Sequence, residues 1–169
     1  MASVIILIGV PASGKSSLAE QMLRTAGQQS SLTYGQAHLI SPDRIREQLY
    51  GAAAIQGNWS EIWSEIQQEF AYAARSQQSV IYDATNYQRE YRKDVIALAK
   101  KHGFQPITGI WLNVPLWICL SRNELRDRVV PEDVIIEMYR TITYTPPSLP
   151  EGFDRILIQD HKSDTTWID

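Results

Sequence analysis

The sequence has a single cysteine, Cys119, and little net charge of either sign. One thiol excludes an internal disulfide and a cysteine-ligated zinc cluster, and it is typical of a protein from a reducing compartment. Cys119 lies in the apolar run 116–120, so we expect a buried structural thiol rather than a reactive one. The net charge of −3 provides no overall attraction to nucleic acid, although local basic patches are compatible with it.

The chain also lacks a long hydrophobic run, an internal repeat and a low-complexity segment. Residues 1–9 contain no basic side chain, and their apolar stretch is too short for a signal peptide or a membrane span. We therefore expect a soluble, cytoplasmic protein with no membrane partner. The 169 residues, 44% hydrophobic and 21% charged, have the size and composition of one globular domain spanning 1–169.

Apolar runs typical of buried strands alternate with segments of helical periodicity along the chain. Strands are predicted over 4–8, 38–40, 79–82, 107–112 and 155–159, and helices over 14–26, 42–51, 58–77, 88–102, 115–125 and 131–143. Gly27 is expected to end the first helix, 28–36 and 145–152 to be loops, and the polar end of the chain to be frayed. Five strands interleaved with helices indicate a three-layer α/β fold, with a mainly parallel sheet covered on both faces.

The first predicted strand runs into Gly9-Val10-Pro11-Ala12-Ser13-Gly14-Lys15-Ser16, which satisfies the pattern G-x-x-x-x-G-K-[ST] of a P-loop NTPase. Glycines there let the backbone curl around a β-phosphate, and the helix that follows favours an anion at its start. Lys15 is expected to reach the β- and γ-phosphates, and Ser16 to bind Mg²⁺. Because the match sits between a strand and a helix, we interpret it as an ATP site rather than a chance match. The residues predicted to bind the nucleotide here are Gly9, Pro11, Ala12, Ser13, Gly14, Lys15, Ser16 and Ser17.

Three classes of P-loop protein are then to be separated: a kinase, a GTPase-like switch and a mechanical ATPase. A GTPase needs D-x-x-G after a later strand, but Asp83-Ala84-Thr85-Asn86 lacks that glycine and no N-K-x-D occurs. A mechanical ATPase usually has a larger domain and an acidic pair after its second strand, which is absent. A small kinase needs an acceptor base, a charge clamp and an arginine-bearing lid, and the sequence offers a candidate for each.

Asp43 is the candidate for the base that accepts the proton of an acceptor hydroxyl. It follows a predicted strand and lies in the first turn of a helix that Ser41 and Pro42 begin. Ligands bind at this end of the strands in such sheets. Arg46 is three residues further on, on the same helix face. The alternative is structural, because Asp43 at this position also stabilises the helix dipole and pairs with Arg46, and spacing leaves both open.

Asp83, at the end of a buried strand, is the candidate acid for a magnesium-bound water, its alternative being a helix cap or Asx turn. The segment 121–131 carries Arg122, Arg126 and Arg128 and is the candidate lid, able to clamp the transferred phosphoryl group and cover the adenine. Its alternative is a solvated face balanced by nearby acids. Arginine, present eleven times against five lysines, suits bidentate phosphate contacts. Beside a P-loop we favour the functional interpretation of both features.

Most aromatic residues are assigned to the core. Tyr91 begins the apolar stripe of the helix 88–102, which continues through Val95. The tryptophans are expected to be core residues rather than stacking platforms for bases, although one of them lies in an exposed-looking stretch. The histidines have no metal-ligand spacing, and we expect structural roles for them. The tryptophans in question are Trp59, the exposed-looking one, with Trp63, Trp111 and Trp117, and the histidines are His38, His102 and His161.

The P-loop, Asp43-Arg44-Ile45-Arg46, Asp83-Ala84-Thr85-Asn86 and the lid string from Arg122 to Pro131 together resemble the kinase domain of 5′-hydroxyl polynucleotide kinases. These are the phage and bacterial end-healing enzymes of the AAA-like P-loop kinase family, and the similarity runs from Ile5 to about Tyr139. The resemblance implies a general base at Asp43 and a clamp on the acceptor's phosphate at Arg46. It also implies β- and γ-phosphate contacts from Lys15, Ser16 and Arg126, an adenine contact from Arg122, and an acceptor side lined by Asp83, Thr85 and Asn86.

The chain departs from that family in two respects. The phage enzyme carries a phosphatase domain after its kinase domain, whereas these 169 residues are interpreted as one domain, and the acidic charge gives little support to a nucleic-acid acceptor. The same scheme also serves relatives that phosphorylate small hydroxyl compounds or nucleotide sugars. The sequence therefore predicts an ATP- and Mg²⁺-dependent kinase acting on a hydroxyl, preferably the 5′-hydroxyl of a polynucleotide. A small-molecule kinase and a non-catalytic ATP-binding module are the alternatives.

Overall fold

A computed structural model describes residues 2–28, 37–161 and 165–168. In them the strands form one sheet with the spatial order β2-β3-β1-β4-β5-β6. The first five strands run parallel, as predicted, and β6 pairs antiparallel with β5. The expectation of a frayed end was therefore wrong for β6. The strands are β1 (Val4–Ile8), β2 (Ala37–Ile40), β3 (Ser79–Asp83), β4 (Ile107–Asn113), β5 (Arg155–Asp160) and β6 (Thr165–Ile168).

Helices occupy each of the segments predicted to be helical. The first passes through Gly27, which was expected to end it, and the predicted loop lies outside the described residues from 29 to 36. The proline-rich segment 145–152 contains one short 3₁₀ turn, Leu149–Glu151. Within the described ranges, none of the helices is long and apolar enough to cross a membrane. The helices are α1 (Lys15–Gln28), α2 (Pro42–Tyr50), α3 (Trp59–Arg75), α4 (Arg89–Lys101), α5 (Leu116–Glu124) and α6 (Glu132–Tyr144).

Local sequence sets the ends of α2 and the start of α3. Ser41 takes the extended backbone of a cap and Pro42 begins α2, but the Ser41 hydroxyl makes no capping hydrogen bond. Gly51 ends α2 with φ 81°, and its N–H donates to the Glu47 carbonyl. At the start of α3, the Asn58 side chain accepts a hydrogen bond from the backbone N–H of Ser60 at 3.0 Å. These caps fix where both helices enter the site described below.

The core lies on both faces of the central strand. All five residues of β1 are buried, which explains why the strand is a continuous apolar run. Helices α3 and α4 cover the sheet with apolar stripes, but Tyr91 of α4 is 41% exposed, so its assignment to the core was wrong. Arg92, the next residue, is fully buried instead. Trp117 is also exposed rather than part of the core. Cys119 is fully buried, as expected of a structural thiol.

The parallel sheet brings the predicted site segments to one edge. The register pairs Leu7 with Asp83 and Ile40 with Tyr82, so β1, β3 and β2 end at the same level. The glycine loop follows β1, Asp83 ends β3, and Asp43 follows β2 at the start of α2. In α/β sheets of this kind, ligands bind outside the carboxyl ends of the strands. The fold therefore collects at one edge residues that lie far apart in the sequence.

Candidate active site

The loop after β1 has a backbone that depends on glycine. Gly9 has φ 154°, and a Cβ there would lie 2.8 Å from Ser13 Oγ and 3.2 Å from the Leu112 carbonyl oxygen. Gly14 has φ 102°, and Ala12 adopts φ 63° without being glycine. The Gly9 N–H donates to the Thr85 carbonyl at 2.9 Å, which ties the loop to the segment after β3. The result is the curled conformation that phosphate binding by backbone N–H groups requires.

Lys15 is held inside this loop. Its Nζ donates to the Val10 carbonyl at 2.7 Å and lies 3.4 Å from Ser13 Oγ. Burial lowers the pKa of Lys15 from 10.5 to about 8, an effect opposed by Asp83 and increased by Arg126. The ammonium is therefore poorly solvated, so that a phosphate anion at the loop would stabilise its charged form.

Ser16 and Asp83 form an oxygen pair beside Lys15. Ser16 Oγ donates to Asp83 Oδ2 at 2.8 Å. Burial raises the pKa of Asp83, and the Ser16 hydrogen bond and the Lys15 charge oppose that rise. Hydroxyl and carboxylate oxygens suit Mg²⁺, which usually takes one or two protein ligands and completes its shell with phosphate oxygens and water. In the described part of the chain, no group of three or more His, Cys, Asp or Glu could hold a metal ion.

Asp43 sits between two arginines at the start of α2. Its Oδ1 accepts from Arg46 Nη1 at 2.7 Å, and its Oδ2 lies 3.4 Å from Arg128 Nη1 of the lid segment. The Asp43 side chain is 53% exposed, and that of Arg46 is 15% exposed. Nε of Arg46 is buried and has no hydrogen-bond partner among the described residues. Asp43 thus forms the ion pair with Arg46 that the structural alternative predicts. Its carboxylate also lines the same groove as the phosphate loop.

The lid segment connects α5 to α6, and its two ends are tied together. Buried Asn123 donates from Nδ2 to the Val130 carbonyl at 2.8 Å and accepts from the Val130 N–H at 3.0 Å. Arg122 and Arg126 are exposed on the groove side, and Arg126 is close enough to lower the pKa of Lys15. Asn123, which sequence analysis missed, thus holds the base of the segment that presents the arginines.

The loop after β3 is held from two directions. Asn86 has φ 49° and is buried, and its Nδ2 donates to the Leu7 carbonyl at 2.6 Å. Arg92 donates from Nη1 to the carbonyls of Asn86 and Tyr87 at 3.1 and 3.2 Å. Thr85 and Asn86 line the groove, and the Asn86 amide holds the loop through its hydrogen bond to Leu7.

Arg92 is itself part of a buried ion pair that sequence analysis did not find. Its Nε and Nη2 donate to the two carboxylate oxygens of Glu151 at 2.6 and 2.8 Å, and Nη2 also donates to the Thr145 carbonyl at 2.9 Å. Such a bidentate pair is strong when all its hydrogen bonds are made. The only signal in the sequence is an arginine inside the apolar face of α4. This pair links the loop after β3 to the segment that follows α6.

These elements enclose one large groove, of about 1380 Å³. Every residue that sequence analysis placed in the site lines it except Gly9 and Ser13, which shape the loop from within. The expectation that Trp59 belongs to the core was wrong, because it is 47% exposed and lines the groove. Trp63 packs against the core, as expected, and also lines the groove. The groove-lining residues that sequence analysis did not propose as site residues include Arg44, Trp59, Trp63, Tyr87 and Tyr91.

A parallel sheet in this order, with a glycine loop and lysine between β1 and α1, defines a P-loop nucleotide-binding fold. Residues 4–145 match the family AAA_33, described as an AAA domain, and the chain belongs to this family. The L-seryl-tRNA(Sec) kinase of Methanococcus maripaludis is 29% identical over 145 residues, which are 80% of this chain and 51% of the relative. This chain thus spans about half the length of that curated kinase. The family assignment agrees with the P-loop kinase class predicted from the sequence and implies ATP binding.

Solved structures show the same fold at low identity. A chain of the Pnkp1/Rnl/Hen1 RNA repair complex has a TM-score of 0.72 and 19% identity, over 90% of this chain and 46% of that one. Chaetomium thermophilum Kti12, in complex with ADP-AlF3, has a TM-score of 0.63 and 19% identity, over 95% of this chain and 90% of that one. The fold is therefore shared with these proteins.

Proposed function

We propose that this chain is an ATP-dependent kinase that transfers the γ-phosphoryl group of ATP to the 5′-hydroxyl of a polynucleotide. The observation that carries the proposal is Asp43, a carboxylate that lines the groove of the phosphate loop beside Arg46, whose buried Nε has no hydrogen-bond partner among the described residues. A base next to a guanidinium suits an acceptor in which a hydroxyl lies close to a phosphate. The 5′-terminal nucleotide of DNA or RNA is such an acceptor.

The reaction exchanges one P–O bond for another. The acceptor oxygen bonds to the γ-phosphorus, the bond from that phosphorus to the bridging oxygen breaks, and ADP leaves. The proton of the acceptor hydroxyl passes to the Asp43 carboxylate. Lys15, Arg122 and Arg126 all line the groove. Lys15 and Arg126 would neutralise charge on the phosphates, and Arg122 would contact the nucleotide. Positioning and electrostatics supply most of the rate in such reactions.

Ser16 and Asp83 are the groups that would hold Mg²⁺. Their oxygens already lie 2.8 Å apart, and a carboxylate whose pKa is raised by burial gains from a nearby cation. Mg²⁺, when bound, supplies further neutralisation of phosphate charge. Thr85 and Asn86, tied to β1 and the phosphate loop, would form the floor of the acceptor side.

The relatives support a hydroxyl that is carried by nucleic acid. The name of the curated relative places its acceptor on a tRNA, and the similar solved chain belongs to an RNA repair complex. The volume of the groove, about 1380 Å³, exceeds the roughly 300–1,000 Å³ of ordinary small-ligand pockets. It therefore has room for a nucleotide and a second, extended substrate. The net charge of −3 is no obstacle, because five of the eleven arginines line the groove.

The test is to incubate purified protein with γ-labelled ATP and Mg²⁺. The acceptors are 5′-hydroxyl DNA and RNA oligonucleotides and, in parallel reactions, a panel of nucleosides and sugars. We expect label at the oligonucleotide 5′ end and none there with Asp43→Asn. Label on a nucleoside or sugar alone would replace the polynucleotide by a small-molecule acceptor. ATP binding that is indifferent to Asp43→Asn, with no transfer to any acceptor, would identify a non-catalytic binding module.

A further inference from the structure

Four aromatic side chains form a continuous surface on one side of the groove. We call Trp59, Trp63, Tyr87 and Tyr91 the aromatic wall. The rings of Trp59 and Trp63 are stacked, with centroids 6.1 Å apart at 25°, and Tyr91 lies 6.4 Å from Trp59 at 40°. Tyr87 packs edge-on against Tyr91 at 6.0 Å. All four residues line the groove that contains Asp43 and Lys15.

The wall exposes more aromatic surface than packing of the core explains. Trp59 is 47% exposed and Tyr91 is 41% exposed, although both lie on helices whose inner faces are well buried. Single exposed apolar residues are ordinary, but two neighbouring exposed rings in a ligand groove mark a binding surface. A ring held in place by an aromatic neighbour loses little conformational freedom when a ligand stacks on it.

The segment before α3 is built to fix the position of Trp59. Tyr50 Oη accepts from the Asn58 N–H at 3.0 Å and donates to Glu61 Oε2 at 2.7 Å. A Cβ at Gly57 would lie 2.1 Å from the Tyr50 ring, so only glycine allows this ring to pack there. Trp59 is the first residue of α3, directly after the Asn58 cap. The indole is therefore presented by an ordered helix start.

The charges around the wall indicate the chemistry of its ligand. Arg44 and Arg46 line the same groove, and the Arg46 Nε has no partner among the described residues. Aromatic faces alone suit a sugar ring or a base, whereas aromatic faces beside arginines suit a base attached to a phosphate. A nucleic-acid strand offers both groups at short and regular spacing.

We infer that the aromatic wall is the acceptor subsite, on which an unpaired base near the reacting 5′ end stacks. This inference rests on the function proposed above and adds the part of the acceptor that is recognised. Stacking needs only a π-face, so the subsite tolerates any base sequence but requires that a base be present.

The test compares two 5′-hydroxyl oligonucleotides that are identical except that one has abasic residues next to the 5′ end. Trp59→Leu and Tyr91→Leu are compared with Trp59→Phe, which keeps a ring. The matched control is Trp117→Leu, because Trp117 is 70% exposed and lies outside the groove. Melting temperatures establish that each variant is folded.

We expect Trp59→Leu to raise KM for the normal oligonucleotide about tenfold, the scale of one lost stacking contact, with kcat and the KM for ATP unchanged. Tyr91→Leu should act in the same direction. The abasic oligonucleotide should show a high KM with wild type and little further change in the variants. Trp59→Phe should restore most of the affinity, and Trp117→Leu should match wild type.

An unchanged KM in both leucine variants, or an equal rise on the two oligonucleotides, would overturn the stacking subsite while leaving the kinase proposal intact. If wild type labels no oligonucleotide at all, the function proposed above fails, and the subsite fails with it. If either Trp59→Leu or Tyr91→Leu does not fold, the KM values of the other variant test the subsite.

Discussion

The two ends of the groove are built in different ways. The phosphate end comes from one continuous stretch, residues 9–17, and works through its backbone and the buried Lys15. The acceptor end is assembled from α2, α3, the loop after β3 and the lid segment, and it works through side chains. Its key carboxylate, Asp43, is half exposed and already paired with arginines. On the function proposed above, a local motif would bind the nucleotide, whereas the tertiary fold would select the acceptor.

This difference predicts that substitutions at the phosphate end abolish binding, while those at the acceptor end leave binding intact and change turnover or acceptor affinity. The largest effect is expected for Lys15→Ala. Because Lys15 supplies the only side-chain cation inside the described phosphate loop, its loss should abolish detectable ATP binding in calorimetry. Lys101→Ala, an exposed lysine of α4 outside the groove, is the control. Retained binding by Lys15→Ala would contradict the division between the two ends.

Asp43→Asn should have the next largest effect. The amide keeps the shape of the side chain but cannot accept the proton, so transfer should fall about 10²-fold or more, the scale of a lost general base. ATP affinity should be unchanged. Single-turnover labelling measures the first quantity and calorimetry the second. Asp133→Asn changes an exposed acid in the first turn of α6, and should change neither. Near-normal transfer by Asp43→Asn would remove the assignment of the base.

Arg126→Ala tests the lid segment, whose three arginines line the groove. If Arg126 contacts the transferred phosphoryl group, kcat should fall about ten- to a hundredfold, with a smaller change in ATP affinity. Arg140→Ala provides the comparison, because Arg140 is an exposed arginine of α6 that pairs with Glu137 at 3.5 Å. Equal losses in kcat and in ATP affinity would place Arg126 in ground-state binding alone.

The smallest expected effect is a pH dependence of ATP affinity that arises at the phosphate end of the groove. The pKa of Lys15 is lowered to about 8, so above pH 8 the free protein carries a mostly neutral Lys15. Phosphate favours the charged form, so binding there must take up a proton, and affinity should fall by up to about tenfold per pH unit above 8. Below pH 8 the contribution of Lys15 to ATP affinity should not change with pH. Calorimetry at pH 9 in two buffers of different ionisation enthalpy measures how many protons are taken up when ATP binds. Zero proton uptake would contradict the lowered pKa of Lys15 as the cause of the pH dependence.

The sequence predicts most of the fold and the phosphate end because their signals are local. The β1 strand, the glycine pattern and the helix start at Ser41–Asp43 each lie within a few residues, so their geometry follows from neighbouring side chains. The family assignment and the five parallel strands confirm that part of the interpretation. The roles of Asp43 and of the lid arginines stay predictions.

The remaining features depend on contacts that no local pattern contains. Strand β6 forms against the edge of β5, and its four residues are too short a run to give a clear signal by themselves. Trp59 and Tyr91 have the helical spacing of core residues. A helix that lines a groove has the same apolar periodicity as one that packs on the core, so the spacing does not distinguish the two. Arg92 and Glu151 are 59 positions apart, so their pairing is visible only in the folded chain.

The pair between Arg92 and Glu151 limits how far the protein can be truncated. The family match ends at residue 145, and a fragment trimmed to that boundary would discard Glu151. Arg92 would keep its place inside the protein without its carboxylate, and breaking a buried pair in this way typically costs about 3–5 kcal/mol. The loop bearing Thr85 and Asn86 would lose its support at the same time. A fragment that preserves the acceptor side must therefore extend past the matched region, through the turn at Leu149–Glu151 and through β5, which pairs with β4.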